Sequence, residues 1–263
     1  MRLVFLGTGT SHGVPMIGCS CATCRSEDPR DRRTNASLLI ETAGRCILID
    51  CGRDFRQQAL RENLRRVDGL FLTHTHFDHI AGIDDLRVFT HSRQAPIPVY
   101  GMEAHLSYLK NTIYHYMFDG ALQKGGGVTR LELIPVQEDI EVEGLLFEPL
   151  VIHHGNMPIY GYRFGRCAYL SDVSAIPEGT MARLTDLDVL IVDALRFRPS
   201  PTHFTVQEAL EVVERTRPKR TLFTHMCHDI LHAEVQRGLA SPDSGYFSPH
   251  HVELAWDGMR IDC

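Results

Sequence analysis

Short apolar runs recur along the chain and are punctuated by Gly, Pro, Asn and Asp, the pattern of buried strands joined by turns. They predict strands at residues 3–6, 37–41, 46–50, 69–73, 98–100, 131–135, 145–152, 159–164, 168–171, 189–193, 221–224 and 252–255. Helical spacing falls between some of them. Residues 55–65 carry Phe55, Ala59, Leu60 and Leu64 on one face, and residues 206–217 carry Ala209, Leu210, Val212 and Val213 before Pro218 closes the element. A third helix is predicted over residues 103–118. Strands in runs with helices interspersed predict two sheets packed together and flanked by helices, because a doubly wound parallel sheet would need stricter alternation. The segment Gly7-Thr8-Gly9-Thr10-Ser11-His12-Gly13 has its third Gly misplaced for a dinucleotide loop, and no long helix follows. It reads as a tight loop after the first strand.

Composition narrows the class without naming a function. The chain has 263 residues, 43% hydrophobic and 23% charged, ordinary values for a soluble globular protein. That length holds one large domain with a substantial core or two small ones, and a single domain over 1–263 is expected. No apolar stretch is long enough to span a bilayer, and Met1-Arg2-Leu3-Val4-Phe5-Leu6-Gly7 meets Gly too soon for a signal peptide. The net charge is −6, and Arg30-Asp31-Arg32-Arg33 is the main basic run. That balance argues against a long nucleic acid as partner, though a local basic patch stays compatible with it, and it favours a small anionic substrate. The eight cysteines are expected to be reduced thiols, with the cytoplasm as default location. Cys46, Cys51 and Cys167 read as small core residues.

The chemistry concentrates at His74-Thr75-His76-Phe77-Asp78-His79, which follows Leu70-Phe71-Leu72. Strand-like backbone would point His74 and His76 to one side, while Asp78 and His79 lie where the chain turns away. Three further strand ends supply partners: His154 after Leu150-Val151-Ile152, Asp172 after Tyr169-Leu170-Ser171, and His225 after Leu222-Phe223-Thr224. The natural partition gives one ion His74, His76 and His154, and the other Asp78, His79 and His225, with the Asp172 carboxylate between them. Such donors suit Zn, Mn or Fe. Two ions about 3.5–4 Å apart can acidify a shared water and clamp an anionic transition state. Hydrolysis by metal-bound hydroxide is the expected chemistry, with Asp78 catalytic as a ligand and not as a free base. Asp50, closing its own strand, is placed to accept the second N–H of a ligand His.

This pattern resembles the metallo-β-lactamase superfamily, whose motif is H-x-H-x-D-H and whose fold is an αββα sandwich of two mixed sheets flanked by helices. The match runs through His154, Asp172 and His225 and so spans nearly the whole chain. The full dinuclear set resembles the phosphodiesterase and ribonuclease Z side of the family more than the lactamases.

Cys19-Ser20-Cys21-Ala22-Thr23-Cys24 puts three thiols in six residues, and tetrahedral zinc needs one more ligand. His228, three residues past His225, or Cys227 could supply it, forming a structural zinc site that ties the 19–24 loop to the catalytic one. The Cys-x-Cys-x-x-Cys run after Gly-Thr-Gly-Thr-Ser-His-Gly-Val-Pro resembles the PhnP type of phosphodiesterase, from the carbon–phosphorus lyase pathway. That resemblance implies a Cys₃His zinc, a ribosyl cyclic phosphate-like substrate, and a homodimer of the kind common in such families. It also implies a catalytic His at Pro201-Thr202-His203-Phe204-Thr205. His203 would stabilise the transition state or protonate the leaving alkoxide. Rival readings are a tRNA 3′-processing nuclease, a glyoxalase II-like thioester hydrolase, and a non-catalytic metal binder. His12 and His153 are expected to be structural or to support ligands, and Arg87 to pair with Asp84 or Asp85. His91, His105, His115, His232, His250 and His251 have no motif behind them.

Overall fold

The computed structural model describes residues 1–93, 95–123 and 127–263. Among these residues the strands assemble into two seven-stranded sheets. The first contains β1 (Arg2–Gly7), β2 (Ser37–Thr42), β3 (Arg45–Ile49), β4 (Gly69–Phe71), β5 (Ile97–Gly101) and β6 (Leu131–Pro135). The second contains β7 (Ile140–Val142), β8 (Leu145–His154), β9 (Met157–Phe164), β10 (Cys167–Leu170), β11 (Val189–Asp193), β12 (Arg220–Thr224) and β13 (Val252–Leu254). The last strand, β14 (Arg260–Asp262), returns to the edge of the first sheet beside β1. Each sheet is mixed. Pairing is antiparallel through β14-β1-β2-β3 and parallel through β3-β4-β5-β6. In the second sheet it is parallel through β13-β12-β11-β10 and antiparallel through β10-β9-β8-β7.

The continuous apolar runs follow from burial on both faces. Along β11, Leu190 and Val192 join one apolar cluster and Val189 and Ile191 another. Residues of both sheets meet in the central layer, where Phe71 stacks on Phe147 with ring centroids 3.9 Å apart. The outer face of the second sheet packs against the helix Val206–Thr216 through Val206, Ala209 and Val213. The outer face of the first packs against the helix Phe55–Arg61 and the segment from Ile80 to Phe89. This is the expected arrangement of two mixed sheets between helical layers.

Local differences have physical causes. The strand expected over 69–73 ends at Phe71, since Asp50 takes the Thr73 N–H at 2.9 Å and the chain leaves the ladder. The helix expected over 55–65 stops at Arg61. The one expected over 103–118 is broken into Glu103–Tyr108, a wide turn Leu109–Ile113, and His115–Phe118. Strands β7 and β14, three residues each, carry too little pattern to be read in advance. Among the described residues no helix is long and apolar enough to cross a membrane.

Candidate metal centre

The centre forms where strands end and the chain turns over the sheet edges. Asp50, Asp172 and His225 follow β3, β10 and β12, and each has left-handed backbone, with φ of 62°, 57° and 55°. Residues with side chains at Cβ rarely adopt this conformation, and it recurs where function demands a side chain in one place. The turn carrying Asp78 and His79 rests on Cys51-Gly52: Cys51 N–H donates to His79 O at 2.8 Å and Gly82 N–H to Cys51 O at 2.9 Å. A Cβ added at Gly52 would lie 1.9 Å from Asp78 O, so only glycine permits that approach.

Two groups of ligand atoms result. In one, His74, His76 and His154 converge, each ligand atom within 4.8 Å of the others. In the second, Asp78, His79, Asp172 and His225 do the same. His79 Nε2 lies 3.2 Å from Asp172 Oδ2 and 3.3 Å from Asp78 Oδ2. His225 Nε2 lies 3.4 Å from Asp172 Oδ1 and 3.6 Å from Asp78 Oδ2. Yet the Nε2 atoms of both histidines are buried without a hydrogen-bond partner. Buried polar atoms left so are rare and costly. Nitrogen lone pairs aimed at a shared point among carboxylates fit divalent cations.

Supporting contacts set the orientation of the rings. Asp50 Oδ2 accepts the His79 Nδ1 proton at 2.7 Å and the Thr73 hydroxyl proton at 2.8 Å. The Thr73 oxygen, 3.0 Å from His74 Nδ1, is then left to accept, so His74 carries its proton on Nδ1 and leaves Nε2 unprotonated, 2.9 Å from His76 Nδ1. His154 Nδ1 donates to Thr202 O at 2.7 Å, with the same consequence. Burial alone would raise the Asp172 carboxyl and lower the His79 imidazole. The mutual attraction between Asp172 and the His79 and His225 rings reverses both, holding the carboxyl well below and His79 well above their ordinary ranges.

His203, ahead of the capped helix Val206–Thr216, sits against this centre with its ring centroid 4.7 Å from that of His154 and 4.9 Å from that of His225. Its Nδ1 is 2.8 Å from Asp193 Oδ2. Burial pushes the Asp193 carboxyl up and the His203 imidazole down, so one proton is held between them. Sequence reasoning missed Asp193, although an acid closing a buried strand is the signal that marked Asp172. It also missed His105, which bonds Thr75 Oγ1 and Pro158 O, each at 3.2 Å.

The second cluster gathers Cys19, Cys21, Cys24 and His228. Their Sγ atoms lie 3.2, 3.5 and 3.7 Å from His228 Nδ1, in that order. The backbone N–H of Cys24 lowers the Cys21 thiol to about 6, burial opposing it. Cys227, the alternative fourth ligand, stands outside this group, its sulfur accepting from Asp229 N–H at 3.3 Å. The buried Arg33 joins the two regions, donating to Cys227 O and Ile230 O at 3.0 and 2.8 Å and pairing with Asp31 at 3.0 Å.

Other histidines lie elsewhere. His12 is exposed, His250 and His251 pair with Glu214 and Glu253, and His153 serves the backbone pairing with Ala175. Arg87 lies 3.8 Å from Asp84, a loose surface pair.

Residues 45–226 match the beta-lactamase superfamily domain. The chain is 37% identical over 263 residues to an octanoyltransferase of Porphyromonas gingivalis (strain W83), covering 99% of this chain and 51% of that protein. It thus spans about half of that relative's length. A ribonuclease Z of Anoxybacillus flavithermus is 33% identical over 175 residues, 62% of this chain and 47% of that one. The crystal structure of a new diphosphatase from the PhnP family superposes with a TM-score of 0.89 at 40% identity, covering 100% of this chain and 97% of that one. Fold, ligand geometry and these likenesses agree: the chain belongs to the metallo-β-lactamase superfamily.

Proposed function

We propose that the protein is a dinuclear metal-dependent phosphodiesterase acting on a small or cyclic phosphodiester such as a ribosyl cyclic phosphate. The observation that carries this reading is the Asp172 carboxylate, one oxygen toward His79 and the other toward His225, beside three further imidazoles. In this reading His74, His76 and His154 would hold one ion and Asp78, His79 and His225 the other, with Asp172 placed to serve either. Bound divalent cations would supply Lewis acidity toward water and phosphate oxygens. The residues around them do the rest. Asp50 and Thr202 hold the ligand rings by their Nδ1 protons. His203, oriented by Asp193, donates its Nε2 proton to the departing oxygen while the proton shared with Asp193 passes to Nδ1, leaving a neutral ring and the Asp193 carboxylate. Cys19, Cys21, Cys24 and His228 hold a structural zinc.

The likeness to a PhnP-family diphosphatase favours a second reading, cleavage of a phosphoanhydride, which the same residues would serve. The test is turnover by Mn- or Zn-loaded protein of a ribose cyclic phosphate, bis(p-nitrophenyl) phosphate, a nucleoside diphosphate and a precursor tRNA, side by side. Preference for the first two is expected. No phosphodiester hydrolysis with both ions bound would refute the proposal, and cleavage of the diphosphate alone would establish the second reading.

A further inference from the structure

The centre accounts for a phosphate but not for what the phosphate carries. A pocket of about 410 Å³ opens directly onto His76. His76 is exposed, whereas its companions His74 and His154 are buried, so the pocket and the candidate centre share a wall. Phe77, Tyr108, Ile113 and Met157 form the other walls, and no carboxylate, lysine or arginine lines it. Phe77 is 63% exposed and Tyr108 48%, two aromatic side chains left facing solvent beside a polar centre.

Two of the polar side chains lining the pocket, His105 and Thr75, are already committed. Pro158 O can only accept, so His105 Nε2 is its donor at 3.2 Å. His105 Nδ1 then accepts the Thr75 hydroxyl proton, also at 3.2 Å. With both nitrogens engaged, His105 offers a fixed, uncharged ring edge. Apart from the Tyr108 hydroxyl and the His76 ring, what remains for a ligand is apolar surface of aromatic character, with no lysine or arginine to pair a second phosphate.

We infer that this pocket receives an uncharged aromatic substituent of the substrate, of nucleobase or aryl type, and that Tyr108 and Phe77 determine that preference. The inference rests on the phosphodiesterase reading and deepens it, favouring a nucleoside-derived ester over a bare sugar phosphate. Contact with two aromatic faces predicts about a fivefold to tenfold advantage for a ring.

Calorimetric binding of phenylphosphonate and methylphosphonate to the metal-loaded full chain tests this without requiring turnover. Wild type is expected to bind the phenyl compound about tenfold more tightly. Tyr108→Ala and, independently, Ile113→Ala should bring the ratio within about twofold, while Tyr108→Phe retains it. Where bis(p-nitrophenyl) phosphate is turned over, Tyr108→Ala should raise KM by the same factor and leave kcat little changed. Equal binding of the two compounds by wild type, or an undiminished ratio in both alanine variants, overturns the inference. A ratio that follows Tyr108 in a protein that hydrolyses no phosphodiester sinks the phosphodiesterase reading and not the aromatic subsite.

Discussion

Replacing Arg33 by methionine should be among the most damaging single changes outside the metal ligands. The side chain is fully buried and donates to Cys227 O and Ile230 O while pairing with Asp31. Asp31 in turn accepts the His232 N–H at 2.8 Å. Burial pushes the guanidinium down and Asp31 pushes it back up, so its charge is kept by that partner. A methionine side chain would fill the volume but strand two carbonyls and a buried carboxylate. Removing one partner of a buried pair costs about 3–5 kcal/mol, against a total stability of about 5–15 kcal/mol for a folded domain. At about 2–4 °C per kcal/mol, the melting temperature should fall by about 6–20 °C. Urea unfolding at fixed, saturating Zn is the assay, with Asp31→Leu and the double variant completing a cycle. The double variant should recover part of the loss, because the stranded carboxylate is gone. A loss under about 1 kcal/mol in Arg33→Met, or strictly additive losses in the double variant, would refute the reasoning.

Three other outcomes follow from the geometry. Asp50→Asn can keep an oxygen for the Thr73 N–H but puts an NH2 donor where Oδ2 accepts from His79 Nδ1 and the Thr73 hydroxyl; metal affinity should fall about 10–100-fold by Zn titration, with circular dichroism unchanged. His203→Ala should lower kcat about 10²–10⁴-fold with full metal content, and Asp193→Asn should lower it less; equal rates in wild type and His203→Ala would remove the proton-donor role. His232 is lowered to about 4, chiefly by burial and then by Arg30 and Arg33. Its stabilising effect is therefore complete above about 6.5, where folded and unfolded chains are both neutral. As pH falls toward 4 the unfolded chain takes up a proton that the folded one refuses, costing about 3 kcal/mol. The urea midpoint of wild type should drop more steeply over this window than that of His232→Gln.

The candidate centre was legible because its ligands announce themselves locally: four in six residues at 74–79, and single ligands closing apolar runs at His154, Asp172 and His225. The layered fold was legible for a related reason, since strands buried on both faces read as unbroken apolar runs. What escaped depends on contacts distant in sequence. The pairing of Asp193 with His203, the seating of Gly52 on the Asp78 turn, and the reach of Arg33 to Cys227 leave no periodic trace. Nor does the break within 103–118, where helical spacing continues through a turn that the backbone widens.

The three left-handed residues explain how strand ends become a metal centre. Side chains on a strand alternate between faces, so a residue that merely extended β3, β10 or β12 would point into an apolar layer. A left-handed step swings Asp50, Asp172 and His225 out of that alternation toward one another, at a cost of about 1–2 kcal/mol each. Glycine would remove the cost and the ligand together. The conformation is held by surrounding contacts: Asp50 accepts three hydrogen bonds, and Asp172 accepts from Ser171 at 2.6 Å. His225 differs, because neither of its buried ring nitrogens has a hydrogen-bond partner. Its strain is therefore the least offset within the protein itself, and it is the position where a bound cation would contribute most to keeping the loop in place. The same loop carries His228 three residues on, so the cysteine cluster and the candidate metal centre share one segment of chain.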